Sequence, residues 1–453
     1  MKFTVFNEKS QDVTEFFEDL WEETIRPQLP SDEFIDQQIK NSGSLCRFRI
    51  ISNALALIKG ALLYAVSGMS FAVLSSATHA LGIAKMSDTA WRKRILKLAP
   101  FLEILLTFLL TRIVKASLFP IDNIPNVYLI DATNIRLQGK EQYLERLHVR
   151  YSANFNVVDQ VKVTDKHTAE SLCHFSMKPG DISIADTAYA TAKNYAYAVE
   201  QKSDVILRMN PQNFSLYNMS GERIKYEKYL KKFKKGSKEV SCYVRTDDGK
   251  QYPARLIIEA LPKDQAKEAQ KRKIKEAKKD GREIRPETLR NAKYVFLLTS
   301  LDETKYGRNT ILELYRIRWQ IELLFKRIKQ MCEIKTIRVA SPKYARVMSY
   351  LWLIVWIITE KKAILMQNIL ERRHNDKLKR ISLWTLFEMS YRFIKYVIEL
   401  GYPIMMWLQG SIESLEKLAD HKRKKRINQN SQTKPKLLEI LPLSSLAELL
   451  GLI

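Results

Sequence analysis

Two short apolar runs, each halted by an aspartate, restrict this 453-residue chain more than any other feature. Val127-Tyr-Leu-Ile130 runs into Asp131-Ala-Thr-Asn, and Gly180-Asp-Ile-Ser-Ile-Ala185 runs into Asp186. Runs this short and this apolar, bounded by turn residues, read as buried strands. Between them, Leu144 to Val158 alternates, and Gln160 to Thr164 is a further strand candidate. Asp165-Lys-His-Thr-Ala-Glu170 then opens a helix, with Asp165 as a turn or cap residue and Glu170 as a helper carboxylate. Another helix spans about Thr191 to Gln201. Strand, strand, strand, helix, strand, helix predicts a mixed α/β sheet. Both aspartates sit just past the carboxyl ends of strands, the edge where such sheets build sites. Taken singly, each is also what a helix cap or turn would use.

A third carboxylate stands on the stretch Tyr315-Arg-Ile-Arg-Trp-Gln-Ile-Glu-Leu-Leu-Phe-Lys-Arg-Ile-Lys329. Leu314, Ile317, Ile321, Leu324, Phe325 and Ile328 recur at helical spacing, which predicts one continuous amphipathic helix. On such a helix Tyr315, Arg318, Glu322 and Lys329 fall within an arc of about 60° beside the apolar stripe. Arg316, Gln320 and Arg327 point elsewhere, to solvent. One reading is an amphipathic helix with salt-bridged flanks. The sharper one is a metal-binding carboxylate beside a phosphate clamp, with Asp131 and Asp186 as the remaining ligands. Three carboxylates form a hard oxygen set suited to Mg²⁺ or Mn²⁺.

The flanking regions are helical. From about 45 to 118 there are few strand signals. Phe71 to His79 reads as a helix, Leu81-Gly82 as a turn, and Ser87 as the cap of a helix from Asp88 to Leu98. That helix exposes Arg92, Lys93, Arg94 and Lys97, the outline of a helix-turn-helix and equally of an ordinary helical hairpin. Val13 to Glu23 is acidic and amphipathic. Leu118 to Pro125 reads as a proline-bounded linker.

Beyond the second acid, Asp204 to Asn210, Glu239 to Arg245, Tyr252 to Glu259 and Tyr294 to Leu298 read as strands. Arg223–Lys238 carries eight Lys or Arg against one Glu. Lys263–Arg290 carries eleven against six acids, a solvated helix ended at Gly281 that could also track phosphates. Tyr344 to Met366 and Ile381 to Leu400 read as core-packing helices. Residues 421–426 are a polar basic run, and Leu437 to Ile453 a short apolar helix suited to docking on the body or a second subunit.

A net charge of +25 favours a polyanionic partner, nucleic acid before a membrane surface. Cys46, Cys173, Cys242 and Cys332 lie far apart, and the histidines show no zinc spacing. That argues against structural zinc and a disulfide framework, and fits a reducing, cytoplasmic compartment. The N-terminus turns polar at once, unlike a signal peptide. Tyr350 to Thr359 is too short to span a membrane, and Phe101 to Val114 is broken by Glu103 and Arg112.

Asp131, Asp186 and Glu322 in this order, with Tyr315-x2-Arg318-x3-Glu322-x6-Lys329, resemble the DDE transposases. The likeness is closer to the insertion sequence four family of bacterial transposases, and covers roughly residues 85 to 360. One departure is Asp186-Thr-Ala-Tyr189, where members often have Asp-Arg-Gly-Tyr. The insertion also has no tryptophan, the aromatic with which better-known relatives hold a flipped base during hairpin formation; Tyr217, Tyr226, Tyr229, Phe233 or Tyr252 would have to substitute.

The resemblance implies an α/β fold: a ribonuclease-H-like mixed-sheet catalytic core with a β-rich insertion, flanked by N- and C-terminal helical regions. The implied divisions are 1–120 (helical, DNA-binding), 121–202 and 293–370 (core), 203–292 (basic insertion) and 371–453 (helical, for dimerisation). It implies Mg²⁺, with Mn²⁺ as substitute, on Asp131, Asp186 and Glu322. Tyr315, Arg318, Lys326 and Lys329 would contact DNA, with Arg92, Lys93 and Arg94 from the N-terminal hairpin. The implied activity is cleavage of transposon ends in double-stranded DNA and their joining to target DNA, by a homodimer on the nucleoid. A nuclease that cuts without joining, and a non-catalytic DNA-binding descendant, are the alternatives.

Overall fold

The computed structural model describes residues 18–45, 51, 53–117, 125–137, 143–155, 157–230, 233, 235–331, 341–373 and 383–399. Residues 13–17, the linker up to 124, the basic run 421–426, the closing segment 437–453, Cys46 and Cys332 lie outside them.

The first described part is helical: 18–24 (α1), Asp32–Asn41 (α2), Ala54–Ser67 (α3), Phe71–Ala80 (α4), Asp88–Ile95 (α5) and Ala99–Ser117 (α6). Ser31, Asn53, Ser70 and Ser87 each cap a helix by accepting from the backbone N–H three residues on. Such a bond satisfies one of the four donors that a helix start leaves open. The α4–α5 hairpin turns at Gly82, whose φ of +66° only glycine adopts without strain. Its second helix ends at Ile95 rather than Leu98. Arg92, Lys93 and Lys97 are exposed, but Arg94 is half-buried, its Nη1 donating to the Ala90 carbonyl at 3.5 Å. Trp91 locks the hairpin. Its Nε1 donates to Thr78 Oγ1 at 3.1 Å, and its ring lies on Gly60 of α3, where a Cβ would stand 2.1 Å from the ring.

The sheet comprises Val127–Leu137 (β1), Tyr143–Ser152 (β2), Val157–Asp165 (β3), Ile182–Ala185 (β4), Asp204–Arg208 (β5), Leu216–Tyr217 (β6), Ser237–Arg245 (β7), Gln251–Ala260 (β8) and Tyr294–Thr299 (β9). Between these lie Ala192–Glu200 (α7), Tyr226–Leu230 (α8), Lys263–Lys279 (α9) and Pro286–Asn291 (α10). All nine strands form one mixed sheet in the order β3-β2-β1-β4-β5-β9-β8-β7-β6. Among the described strands, only β1, β4 and β5 pair in parallel. The strands of 203–292 extend the same sheet through β9.

Alternation along the strands builds two apolar layers. Leu129, Ile182, Ile184 and Ile206 face a core shared with α3, α6 and the C-terminal helices Arg308–Arg316 (α11), Trp319–Met331 (α12), Pro342–Arg373 (α13) and Leu383–Ile398 (α14). Ile130, Ala185, Val205 and Leu207 face the opposite layer with Tyr195 and Ala198 of α7. Tyr350 to Ile358 is buried within α13, and no helix among the described residues is long and apolar enough to cross a membrane.

One predicted helix is absent. Asp165 Oδ1 accepts from the N–H of His167 (2.7 Å) and Thr168 (3.1 Å), which closes a turn. This local bond outcompetes helix initiation, and residues to Glu170 continue as loop.

This packing makes stability depend on one glycine and one histidine. Gly60→Ala drives a methyl into Trp91 and should lower the melting temperature by the equivalent of about 1–3 kcal/mol; an unchanged melt would mean the indole can move aside. His148 on β2 is fully buried, and burial, with the His174 ring 4.5 Å away, pulls its imidazole down to about 4. The unfolded chain therefore binds a proton between about pH 6.5 and 4 that the folded chain refuses, so stability falls as pH drops through that window. His148→Gln should flatten the decline in melting temperature between pH 7 and 5; equal declines would rule out this histidine as a source.

Candidate active site

The parallel register assembles the first part of the site. β1 pairs with β4 from Val127↔Ile182 to Ile130↔Ala185, and β4 with β5 from Ile182↔Asp204 to Ala185↔Leu207. The next position on each strand is Asp131, Asp186 and Arg208. Two carboxylates and a guanidinium thus follow the last paired residues of three adjacent strands at their carboxyl edge. Asp131 differs from expectation in lying inside β1, still opposite Val149 of β2. What ends there is the parallel pairing, because the chain leaves β4 at Asp186 for a tight turn over Thr187–Tyr189.

Both aspartates are half-buried. Asp131 is pushed up to about 6 by burial, against the Ala132 N–H (2.8 Å to Oδ1) and Arg318, and with the negative charges of Asp186 and Glu170. Asp186 Oδ1 accepts from Thr187 Oγ1 at 3.2 Å. Glu170 comes from the loop after β3; burial raises its carboxyl, opposed by Arg146 at 4.0 Å and reinforced by Asp186. The Tyr189 hydroxyl is buried without a hydrogen bond.

The third carboxylate comes from a broken helix. The stretch from Tyr315 to Lys329 is two helices, α11 and α12, separated at Ile317-Arg318. There the amides bond three residues back instead of four: Ile317 N–H to Leu314 O, Arg318 to Tyr315, Gln320 to Ile317 and Ile321 to Arg318. This tightened turn is of the 3₁₀ kind. It is also where Arg318 reaches down into the site. Its Nη2 donates to Glu322 Oε1 at 2.5 Å, and its Nη1 lies 3.5 Å from Asp131 Oδ2. The fork is mostly buried, whereas the Glu322 side chain is 54% exposed.

Tyr315 lies beneath the fork, its ring 5.9 Å from the guanidinium; burial and then Asp186 push its hydroxyl up to about 12, against Arg318 and Arg208. Lys329 Nζ donates to Thr133 Oγ1 on β1. Lys326 is exposed on α12. Arg327 and Gln320 do not face solvent as the pattern suggested. Arg327 is buried, donating to Glu360 of α13 at 2.8 Å, and Gln320 is half-buried. Arg316 is exposed, 3.4 Å from Glu259. On α5, Arg92, Lys93 and Arg94 do not touch the acids. Among the described residues, no three His, Cys, Asp or Glu side chains stand close enough together to enclose a metal ion.

Arg208 was missed in the sequence. It follows Val205-Ile-Leu207 as Asp131 follows Leu129-Ile130, so the same strand-end argument would have found it. Of the insertion's aromatics, Tyr226, Tyr229, Phe233 and Tyr252 pack on the core, and Tyr217 lies under Arg245 with 4.1 Å from guanidinium to ring.

Arg318→Gln removes the cation that, among the described residues, touches both Asp131 and Glu322. The melting temperature in chelator should fall, by the equivalent of about 1–3 kcal/mol, and Arg318→Lys should recover part of it, since an ammonium lacks the planar fork. A melt that does not move would show that these charges do not depend on Arg318.

The comparisons with known proteins agree in kind. Residues 122–358 match the family model described as Transposase DDE domain. The transposase for insertion sequence element IS421 of Escherichia coli is 30% identical over 321 residues, covering 69% of this chain and 86% of that protein. The InsL protein of element IS186A from Escherichia coli K12 is 29% identical, with the same coverage. The transposase for element IS231E of Bacillus thuringiensis subsp. finitimus is 26% identical over 309 residues, covering 59% of this chain and 64% of that protein. With the family model spanning more than half of its length, the chain belongs to the DDE transposases, of the insertion sequence four type.

Proposed function

We propose that this transposase cuts double-stranded DNA at the inverted ends of an insertion sequence and joins those ends to target DNA, with Asp131, Asp186 and Glu322 as its catalytic carboxylates. The observation that supports the assignment is the adjacent register of two strand-end aspartates, with Arg318 touching both Asp131 and Glu322 from a distant helix. The proposed core is ribonuclease-H-like, made of 121–202 and 293–370, with 203–292 as its insertion.

The donor set fits a hard divalent cation, Mg²⁺ or Mn²⁺. Asp131 resists ionisation where it stands, and an adjacent cation would offset that cost. Bound there, the metal would polarise phosphate oxygens and activate the attacking hydroxyl. Holding an ion with all three acids requires Arg318 to let go of Glu322. That frees a planar two-donor fork for a phosphate oxygen pair near the cut. Arg208 and the exposed Lys326 supply further positive charge at this edge. Lys329, seated on Thr133, positions an ammonium beside β1. Tyr315 packs under Arg318 and holds the fork above the acids.

The exposed Arg92 and Lys93 of the α4–α5 hairpin, with Arg94 beside them, are the proposed end-recognition contacts. Two ends demand two sites, so the working form is a homodimer on DNA, acting in the cytoplasm on the nucleoid.

Glu322→Gln keeps the shape and loses the charge. Cleavage of DNA carrying the element's own ends, with Mg²⁺, should fall below detection while binding of that DNA changes less than about threefold. Parallel loss of both would assign Glu322 a structural role. Joining of cut ends to a second DNA separates transposition from simple nuclease action.

A further inference from the structure

The helix α9 carries eight basic and three acidic residues, five positive charges in surplus over 17 residues. Its sequence is too polar to bury a face, and only Ala266 is buried. Ala269, Gln270 and Ala277 are half-buried on that same side, and Gln270 Nε2 donates to the Leu289 carbonyl at the end of α10 at 2.8 Å. Anchored on that side, the helix turns Lys263, Lys267, Lys271, Lys275 and Lys278 outward, all exposed. At 100° per residue they lie within an arc of about 120° and run about 22 Å along the axis. Lys271 pairs with Glu268 at 3.1 Å.

The sheet topology says where this stripe leaves the molecule. β9 runs antiparallel to β5, so Leu297 stands opposite Arg208, and Tyr294 lies beyond it. β8 runs antiparallel to β9, with Ala260 opposite Tyr294. Both ends of the α9–α10 connection therefore sit at the carboxyl edge of β1, β4 and β5, the edge that carries Asp131, Asp186 and Arg208. Arg316, 3.4 Å from Glu259 near the end of β8, adds a guanidinium between them.

We infer that the outward lysines of α9 grip the phosphate backbone of duplex DNA running past the catalytic edge, without reading its sequence. A span of about 22 Å matches about six base-pair steps at 3.4 Å each. Lysines are point charges on flexible stems, suited to phosphates and poorly suited to base edges. The inference rests on the DNA-transfer reading for the identity of the polyanion. Its test involves no chemistry, so the two fail separately.

The experiment compares the full-length protein with Lys263→Gln/Lys267→Gln/Lys275→Gln/Lys278→Gln, and with the same four positions changed to Arg. Binding to a duplex bearing the element's end and to a random duplex of equal length is measured across a salt series. Melting temperatures should agree among the three proteins. The slope of log K against log salt should become shallower by about 0.9 for each phosphate no longer neutralised, about 3 to 4 in all. The Arg version should keep the original slope. A shallower slope on the random duplex marks flanking or target DNA as the source of the phosphates, and one confined to the end-bearing duplex marks the element's end. Unchanged slopes on both duplexes would overturn the inference and leave α9 a solvated face, whatever Glu322→Gln does to cleavage.

Discussion

Parallel pairing of β1, β4 and β5 is the constraint on which the rest of the site depends. Side chains on adjacent parallel strands are held at the spacing of the backbone hydrogen bonds, about 4.8 Å between strands. Nothing about Asp131 or Asp186 as individual residues brings them together; the register Ile130↔Ala185 does. Both central strands are buried on two faces, by the shared helical core on one side and by α7 on the other. A one-residue slip would turn each apolar set into the wrong layer, so the register is strongly specified. Because Leu207 pairs with Ala185, Arg208 is carried to the same edge by the same mechanism.

The glutamate reaches that edge by another route. α12 is tied down by a buried ion pair, Arg327 to Glu360 of α13, close to Tyr151 of β2. Buried pairs recover their desolvation cost only with good geometry, and they contribute more to orientation than to net stability. Here the pair sets the rotation of α12. Ile321, Leu324 and Ile328 face the core, while Glu322 and Lys326 face outward. The 3₁₀ turn at Ile317-Arg318 then separates this helix from α11, while Arg318 pairs with Glu322 at the i,i+4 spacing and its other nitrogen faces Asp131.

Local chemistry was the most legible part of the chain. Ser87 caps α5 as read, the helix expected from about Thr191 forms with Thr191 as its cap, and Gly82 and Gly281 take left-handed turns where a turn and a helix end were expected. The strand runs around 127, 182, 204, 239, 252 and 294 are strands. The errors share one cause: each depended on a partner distant in sequence or on a competing side-chain bond. Arg327 looked like a solvent residue because Glu360 is thirty-three positions away. Asp165 forms a turn, one of the two roles read for it, but the helix expected after it is absent because its carboxylate accepts from the turn amides instead. Arg208 drew no attention because the strand-end argument was applied to carboxylates alone; the register Ala185↔Leu207 sets it beside them.

Sequence alone determined the order of the acids, the apolar strands that precede two of them, the helical spacing around the third and the family signature. Each is a property of residues close together along the chain. Only the tertiary structure decided which groups meet. Registers across β1, β4 and β5, the Arg318 contact with Asp131 and the exit of α9 at the carboxyl edge all arise from pairings between distant segments. Their geometry is set by burying two apolar layers at once, and no local pattern encodes it.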